Sequence, residues 1–382
     1  MKVVFIVTDS FLRTAEKTDP FYDPLMRAAD AAGIEWTAFT SGEECGYPPE
    51  KTRSWRSFRT AGVWFYRMCR IAMPWLGVEA AYRLFGRLAR PFFAKRFAAD
   101  LIVTQAGMFA SCFETMLPET RTADVQHGII YSRHRGYFGS DARLLKQYRN
   151  AKTREFWLFG QGFADCFFKH PDNAADLAGR VKVLGDVIRA GEPPIAGPAQ
   201  DDERDLVVFS LQLTADLSRE EMAGSIAAME KFFSDFFAAF GNKYKCRVKH
   251  HPRFGGTCDL GPFFRKFPQV KETREPWPAL YPRMALHATF SSTVTFDCAS
   301  AGIPTRLVDM ENAKILDASI FATDYAYPLY GKTSQEILGA PPGEIRECVT
   351  RWFEKFYTPF EPERFISLLE DGVPPHGRKV AT

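Results

Sequence analysis

In this chain of 382 residues, groups capable of chemistry gather where short apolar runs end. The run Arg247-Val248-Lys249-His250-His251-Pro252-Arg253 collects cationic and protonatable groups at the end of a predicted strand. Pro252 stops that strand and holds its predecessor extended, which aims His251 out of the end of the sheet. Lys249, His251 and Arg253 there suit a phosphate; a solvated basic turn is the alternative. Further along, the apolar Thr289-Phe290 leads into Ser291-Ser292-Thr293 and then a helix-like stretch carrying Asp297. Hydroxyls, free backbone N–H groups and the positive end of a helix dipole converge at such a turn and make an anion site. Plain N-capping by Ser291 or Ser292 is the simpler reading and is compatible with it.

In the first half, Gln126-His127-Gly128 follows a predicted strand directly. His127 there can take a proton from an acceptor hydroxyl, because an unperturbed imidazole titrates near pH ~6.5, and Gly128 admits a ligand close to the backbone. Asp9, after the first strand, is the rival base. Arg133, His134 and Arg135 could meet a carboxylate or phosphate on donor or acceptor, or form a solvated basic loop. Gly185-Asp186 ends a strand ahead of a Pro/Gly-rich stretch, and Glu370-Asp371-Gly372 reads as a helix end with a glycine cap.

The elements that must position these groups alternate. Val3–Val7, Ile34–Phe39, Asp100–Thr104, Thr122–Gln126 and Glu155–Phe159 read as buried strands, with a helix over Pro24–Ala32. Residues 187–205, with Gly191, Pro193, Pro194, Gly197, Pro198 and a charged run, read as a linker. Beyond it come strand Leu206–Leu211, helix Arg219–Phe240, strands Cys246–Lys249 and His287–Phe290, helix Ser292–Ala301 and strand Thr305–Val308. Strand and helix in alternation, twice over, predict two doubly wound parallel-sheet α/β domains, whose ligands bind at the carboxyl ends of the strands. The expected division is a first domain over 1–186, a second over 187–358, and a C-terminal helix and tail over 359–382 that crosses back to the first.

The net charge of +3 argues against a nucleic-acid partner, yet it conceals an asymmetry. Residues 51–96 hold eleven Lys/Arg against one acid, Glu79, which makes the segment +10 and leaves −7 for the rest. Ten aromatics interleave with those cations, and apolar spacing predicts two helices broken around Pro74. A cationic face opposite Trp and Phe suits an anionic membrane surface; packing in the core beneath a solvated arginine face is the alternative. Eight scattered cysteines without a C-x-x-C pair argue against a disulfide framework or a zinc site and fit a reducing cytosol. No apolar run is long enough to span a membrane, so membrane contact is expected to be peripheral.

The hydroxyls at 291–293, the acid Asp297 and then Gly302 and Pro304 resemble the donor-site pattern of GT-B glycosyltransferases. The resemblance implies two Rossmann-like domains facing a cleft, Asp297 on the ribose of a nucleotide, the 291–293 turn on its phosphate, and Gly185 near the donor phosphate. The pair His251-Pro252 and Ser291-Ser292 is similar to the two donor motifs of bacterial sialyl- and polysialyltransferases and of capsule Kdo transferases, which use CMP-activated acidic sugars. The acidic motif that those sialyltransferases carry upstream of His-Pro has no counterpart there, since Glu370-Asp371-Gly372 lies downstream. Gln126-His127-Gly128 resembles CDP-glycerol glycerophosphotransferases. These resemblances imply a cytoplasmic, peripheral enzyme that needs neither cofactor nor metal and passes a sugar from a CMP-linked donor to a glycan or lipid-linked acceptor. Its rivals are a glycerophosphotransferase, a UDP-sugar transferase or 2-epimerase, and a silent binding protein of the same fold.

Overall fold

The computed structural model describes residues 1–7, 17–40, 45–54, 71, 73–95, 97–105, 110–149, 151, 153–191, 204–213, 217–251, 258–309 and 318–371. The chain divides into two compact units, one of Met1–Gly191 with Phe356–Thr382 and one of Glu192–Lys355.

The first unit is built on seven strands: β1 (Lys2–Val7), β2 (Glu35–Thr40), β3 (Thr52–Ser54), β4 (Leu101–Gln105), β5 (Arg121–Val125), β6 (Arg154–Leu158) and β7 (Val181–Val183). Their order is β3-β2-β1-β4-β5-β6-β7, and every pairing is parallel. Both faces of such a sheet are covered, which is why β1 and β4 are buried almost throughout rather than on alternate residues. Helix α1 (Asp23–Ala31) follows β1. Helix α2 (Val78–Phe93) turns the row Ala81, Phe85, Ala89 and Phe93 into a core shared with Val4, Ile102 and Phe113. It crosses α3 (Ala110–Met116) so closely at Gly86 that a methyl group there would meet the Cys112 carbonyl. Residues 73–76 form a short helical stretch ahead of α2, and the break falls at Gly77 (φ +77°), just after Pro74. Residues 55–70 and 96 of the basic segment lie outside the described residues.

The second unit has five parallel strands, β8 (Leu206–Leu211), β9 (Lys245–His250), β10 (Val270–Thr273), β11 (Met284–Thr289) and β12 (Thr305–Leu307), in the order β10-β9-β8-β11-β12. Between β8 and β9 runs α4 (Arg219–Phe240), which starts where local chemistry dictates. The Ser218 hydroxyl accepts from the Glu221 amide at 3.2 Å, and the Glu221 carboxylate accepts from the Ser218 amide at 2.9 Å. This reciprocal cap contributes about 1 kcal/mol, and Gly241 (φ +55°) ends the helix. Helix α5 (Val294–Ser300) links β11 to β12.

After the second unit the chain returns to complete the first. Thr358 N–H donates to the Phe159 carbonyl, and Asp186 N–H donates to the Thr358 carbonyl at 2.7 Å. Helix α6 (Pro362–Glu370) packs Phe365 edge-on to Trp157, and Arg121 donates to the carbonyls of Leu368 and Leu369. The units therefore exchange at 191/192 and 355/356. The helix end at Glu370 is as read, but its Gly372 lies outside the described residues, as do 192–203 of the expected linker.

Candidate functional site

In the second unit His251 and Ser291, picked out from the sequence, lie at the carboxyl ends of the two strands that flank β8. Leu211 of β8 pairs with His250 of β9, and Thr289 of β11 pairs with Ser210 of β8. His251 lies one step beyond the first pair and Ser291 two steps beyond the second, both level with Gln212, so the three stand near one level on adjacent strands. Neighbouring strands lie ~4.8 Å apart, so the three span roughly 10 Å, the reach of a phosphate with its sugar. His251 N–H is held by the Leu211 carbonyl at 3.0 Å, which continues the ladder past the strand end. His250 points the other way, with Nε2 3.6 Å from a carboxylate oxygen of Glu272, and burial pushes its pKa down.

Gln212 is a residue that the sequence reading missed. Its Oε1 accepts from the Ser291 amide at 3.2 Å and the Ser291 hydroxyl at 3.5 Å, fixing the turn after β11. No motif signals it, since its role arises only because β8 lies beside β11. The turn itself differs from expectation. Helix α5 begins at Val294, two residues later than read, with Thr293 at the N-cap position and no side-chain cap from it. The Ser292 hydroxyl instead accepts from the Val294 amide at 3.3 Å, so capping by Ser292 is present. Asp297 lies in the first turn of α5. Beneath this edge His287 is fully buried, its Nε2 2.8 Å from the Ser210 hydroxyl and its Nδ1 3.0 Å from that of Thr305. Burial lowers its pKa to about 3, so it is a neutral rung tying β8, β11 and β12 together.

Lys249 is engaged within its own unit. Its ammonium donates to the Glu275 carbonyl and lies 5.5 Å over the Trp277 ring, and burial lowers its pKa. Arg253 lies outside the described residues.

In the first unit His127 follows β5 in a turn clamped by Gln126. The Gln126 amide donates to the Gly128 carbonyl at 2.7 Å and accepts from Phe159 N–H at 2.9 Å. The His127 ring is half-buried. His134 is committed to the loop: its Nδ1 accepts from Gly136 N–H at 3.2 Å, its ring packs on Tyr131 and Tyr137, and burial lowers its pKa. Arg133 and Arg135 are exposed. Asp9 lies outside the described residues.

Gly185, expected near the donor phosphate, is also where the returning chain passes closest. It has φ +104°, and a Cβ on it would stand 2.7 Å from the Pro359 carbonyl oxygen and 2.8 Å from Phe360 Cα. The close approach that its missing side chain permits is made by the returning backbone.

Asp19 carries no sequence motif, yet it is the most perturbed carboxyl near the edge of the first sheet. It is fully buried, accepts from Phe21 N–H at 2.9 Å and from Gln105 Nε2 at 3.0 Å, and burial pushes its pKa up to about 7. It holds the entry to α1 against the end of β4. Among the described residues no three His, Cys, Asp or Glu side chains come together to hold a metal ion, and no helix is long and apolar enough to cross a membrane.

Neither a family model nor a curated protein sequence matches the chain. Solved structures match over nearly its whole length. The lipopolysaccharide outer core galactosyltransferase WaaB covers 98% of this chain and 100% of its own, with TM-score 0.52 and 9% identity. TarM covers 97% and 98%, with TM-score 0.52 and 8% identity. The glycotransferase of kitacinnamycin covers 98% and 99%, with TM-score 0.50 and 10% identity. With two parallel-sheet α/β units of seven and five strands, the chain has the GT-B fold.

Proposed function

We propose that the protein is a glycosyltransferase that moves an acidic sugar, Kdo or a sialic-acid relative, from a CMP-linked donor to a surface glycan or lipid-linked acceptor at the cytoplasmic face of an anionic membrane. The observation that carries this reading is the alignment of His251, Gln212 and Ser291 on adjacent strand ends in a GT-B unit. His251, Ser291, Ser292 and Thr293 stabilise charge as it develops on the leaving phosphate, a task other transferases give to a divalent metal. Asp297 takes the ribose hydroxyls, with Arg253 and Lys249 adding positive potential. His127, or Asp9 in its place, removes the acceptor proton, and Arg133 and Arg135 meet the acceptor's acidic groups.

Thermal shift with CMP, CDP, UDP and GDP tests the donor. Saturation at 100 times Kd stabilises by ~2.7 kcal/mol, and selective stabilisation by CMP is expected. Selective stabilisation by UDP would instead favour a UDP-sugar transferase or 2-epimerase, and by CDP alone a glycerophosphotransferase. His251→Ala and Ser292→Ala should lose most transfer with little loss of folding, about 1 kcal/mol for the Ser292 cap; unchanged turnover in both would remove the site. Transfer should persist in chelator, and strict Mg dependence would contradict the metal-free reading.

A further inference from the structure

Of the nine large apolar side chains left exposed among the described residues, six lie between Ile71 and Phe92. They are not scattered. Leu84, Leu88 and Phe92 recur every four residues along α2, beside the buried row Ala81, Phe85, Ala89 and Phe93. The apolar face of α2 is thus wider than its own core covers, and its exposed row runs about 12 Å along the surface. Trp75 in the stretch before Gly77 is 86% exposed, and Phe92 is 61% exposed. Arg87, Arg90 and Lys95 are exposed as well and make no ion pair with any described residue, whereas the one acid of the helix, Glu79, is occupied by Arg83 at 2.7 Å.

Two occupants could cover such a face. A second copy packed on this face through a two-fold axis would bring Arg87, Arg90 and Lys95 near the same group of cations on its partner, with the one acid of the helix already paired, so like charges would meet. A bilayer containing anionic phospholipid satisfies both halves of the surface at once, because acyl chains take the apolar row and headgroups take the cations. We propose that residues 73–95 are an interfacial docking surface for anionic phospholipid, in which Trp75, Leu84, Leu88 and Phe92 enter the acyl boundary while Arg87, Arg90 and Lys95 meet the headgroups. The inference deepens the membrane part of the function proposed above by naming the contact surface, and it does not depend on the donor.

The test uses the full chain and sedimentation with vesicles of phosphatidylcholine alone or mixed with phosphatidylglycerol. The parent should bind the mixed vesicles, and binding should weaken as salt rises. Each cation removed should cost about fivefold, so Arg87→Gln with Arg90→Gln should lower the partition constant roughly 25-fold. Leu84→Ser with Leu88→Ser should lower it about tenfold or more, because serine has little apolar area to bury. Both double variants should keep the parent's melting temperature and CMP-induced shift. Absence of binding by the parent overturns the proposal, as do variants that bind like the parent. Concentration-dependent dimerisation abolished by the leucine pair also overturns it and assigns the face to a second copy. If vesicles bind as expected but CMP gives no shift, the donor reading fails and this surface stands.

Discussion

Replacing Gly185 with alanine separates two roles for one residue, closure of the first unit and contact with donor. The new methyl would lie 2.7 Å from the Pro359 carbonyl oxygen and 2.8 Å from Phe360 Cα, well inside the 3.5–4.0 Å that carbon atoms prefer, so the returning backbone must shift. A φ of +104° adds strain of about 1–3 kcal/mol for a non-glycine residue. Overpacking against backbone contributes a further ~1–3 kcal/mol, so the total is roughly 2–6 kcal/mol. For a unit of about 220 residues each kcal/mol moves the melting temperature by ~2–4 °C, which predicts a fall of roughly 4–24 °C. Calorimetry of the full chain is the assay, because two units can melt in separate transitions. The transition of the first unit should drop by that amount, and the shift of the second on adding CMP should be unchanged. Melting like the parent together with a raised donor KM would refute the reasoning: the crossing would then tolerate a methyl, and the glycine would serve the donor.

Two further predictions concern buried charge in the same unit. Asp19 has a folded pKa near 7, above the ordinary carboxylate value, so the fold favours its protonated form. Its stabilising contribution is complete below the usual carboxylate range and is lost as pH rises towards about 7, a change of at most ~4 kcal/mol. Asp19→Asn should flatten that part of the pH–stability curve, and a parent-like slope between those limits in the variant would contradict the assignment. Glu114 forms an ion pair with Arg154, which is 1% exposed and also donates to Ser111. Glu114→Ala should cost about 3–5 kcal/mol by denaturant titration, while Glu114→Ala combined with Arg154→Met should recover much of it, since an apolar pair avoids an unpaired buried charge.

What the sequence determined by itself is local. Helix α4 runs over Arg219–Phe240 as read, because Ser218, Glu221 and Gly241 mark its ends through their own hydrogen bonds and backbone angle. Strand β8 likewise matches its apolar run, Leu206–Leu211, since both faces of an interior parallel strand are covered. The strand end before His251 and the turn at Ser291 were legible because a proline and clustered hydroxyls in the sequence bias their immediate neighbours.

What tertiary structure alone decided is which distant residues became partners. Edge strands β3, β7 and β10 are short, with Lys271 and Glu272 exposed in the last, and they are strands only because a neighbour supplies the ladder. Gln212 acts on Ser291, 79 residues away, because β8 and β11 pair. The close backbone crossing at Gly185 is made by Pro359 and Phe360, and the elevated pKa of Asp19 came from burial, which outweighs the hydrogen bond from Gln105 that lowers it. Residue type and spacing set what a side chain can do, but desolvation and close approach depend on chain segments far apart in sequence, so only the folded arrangement assigns them.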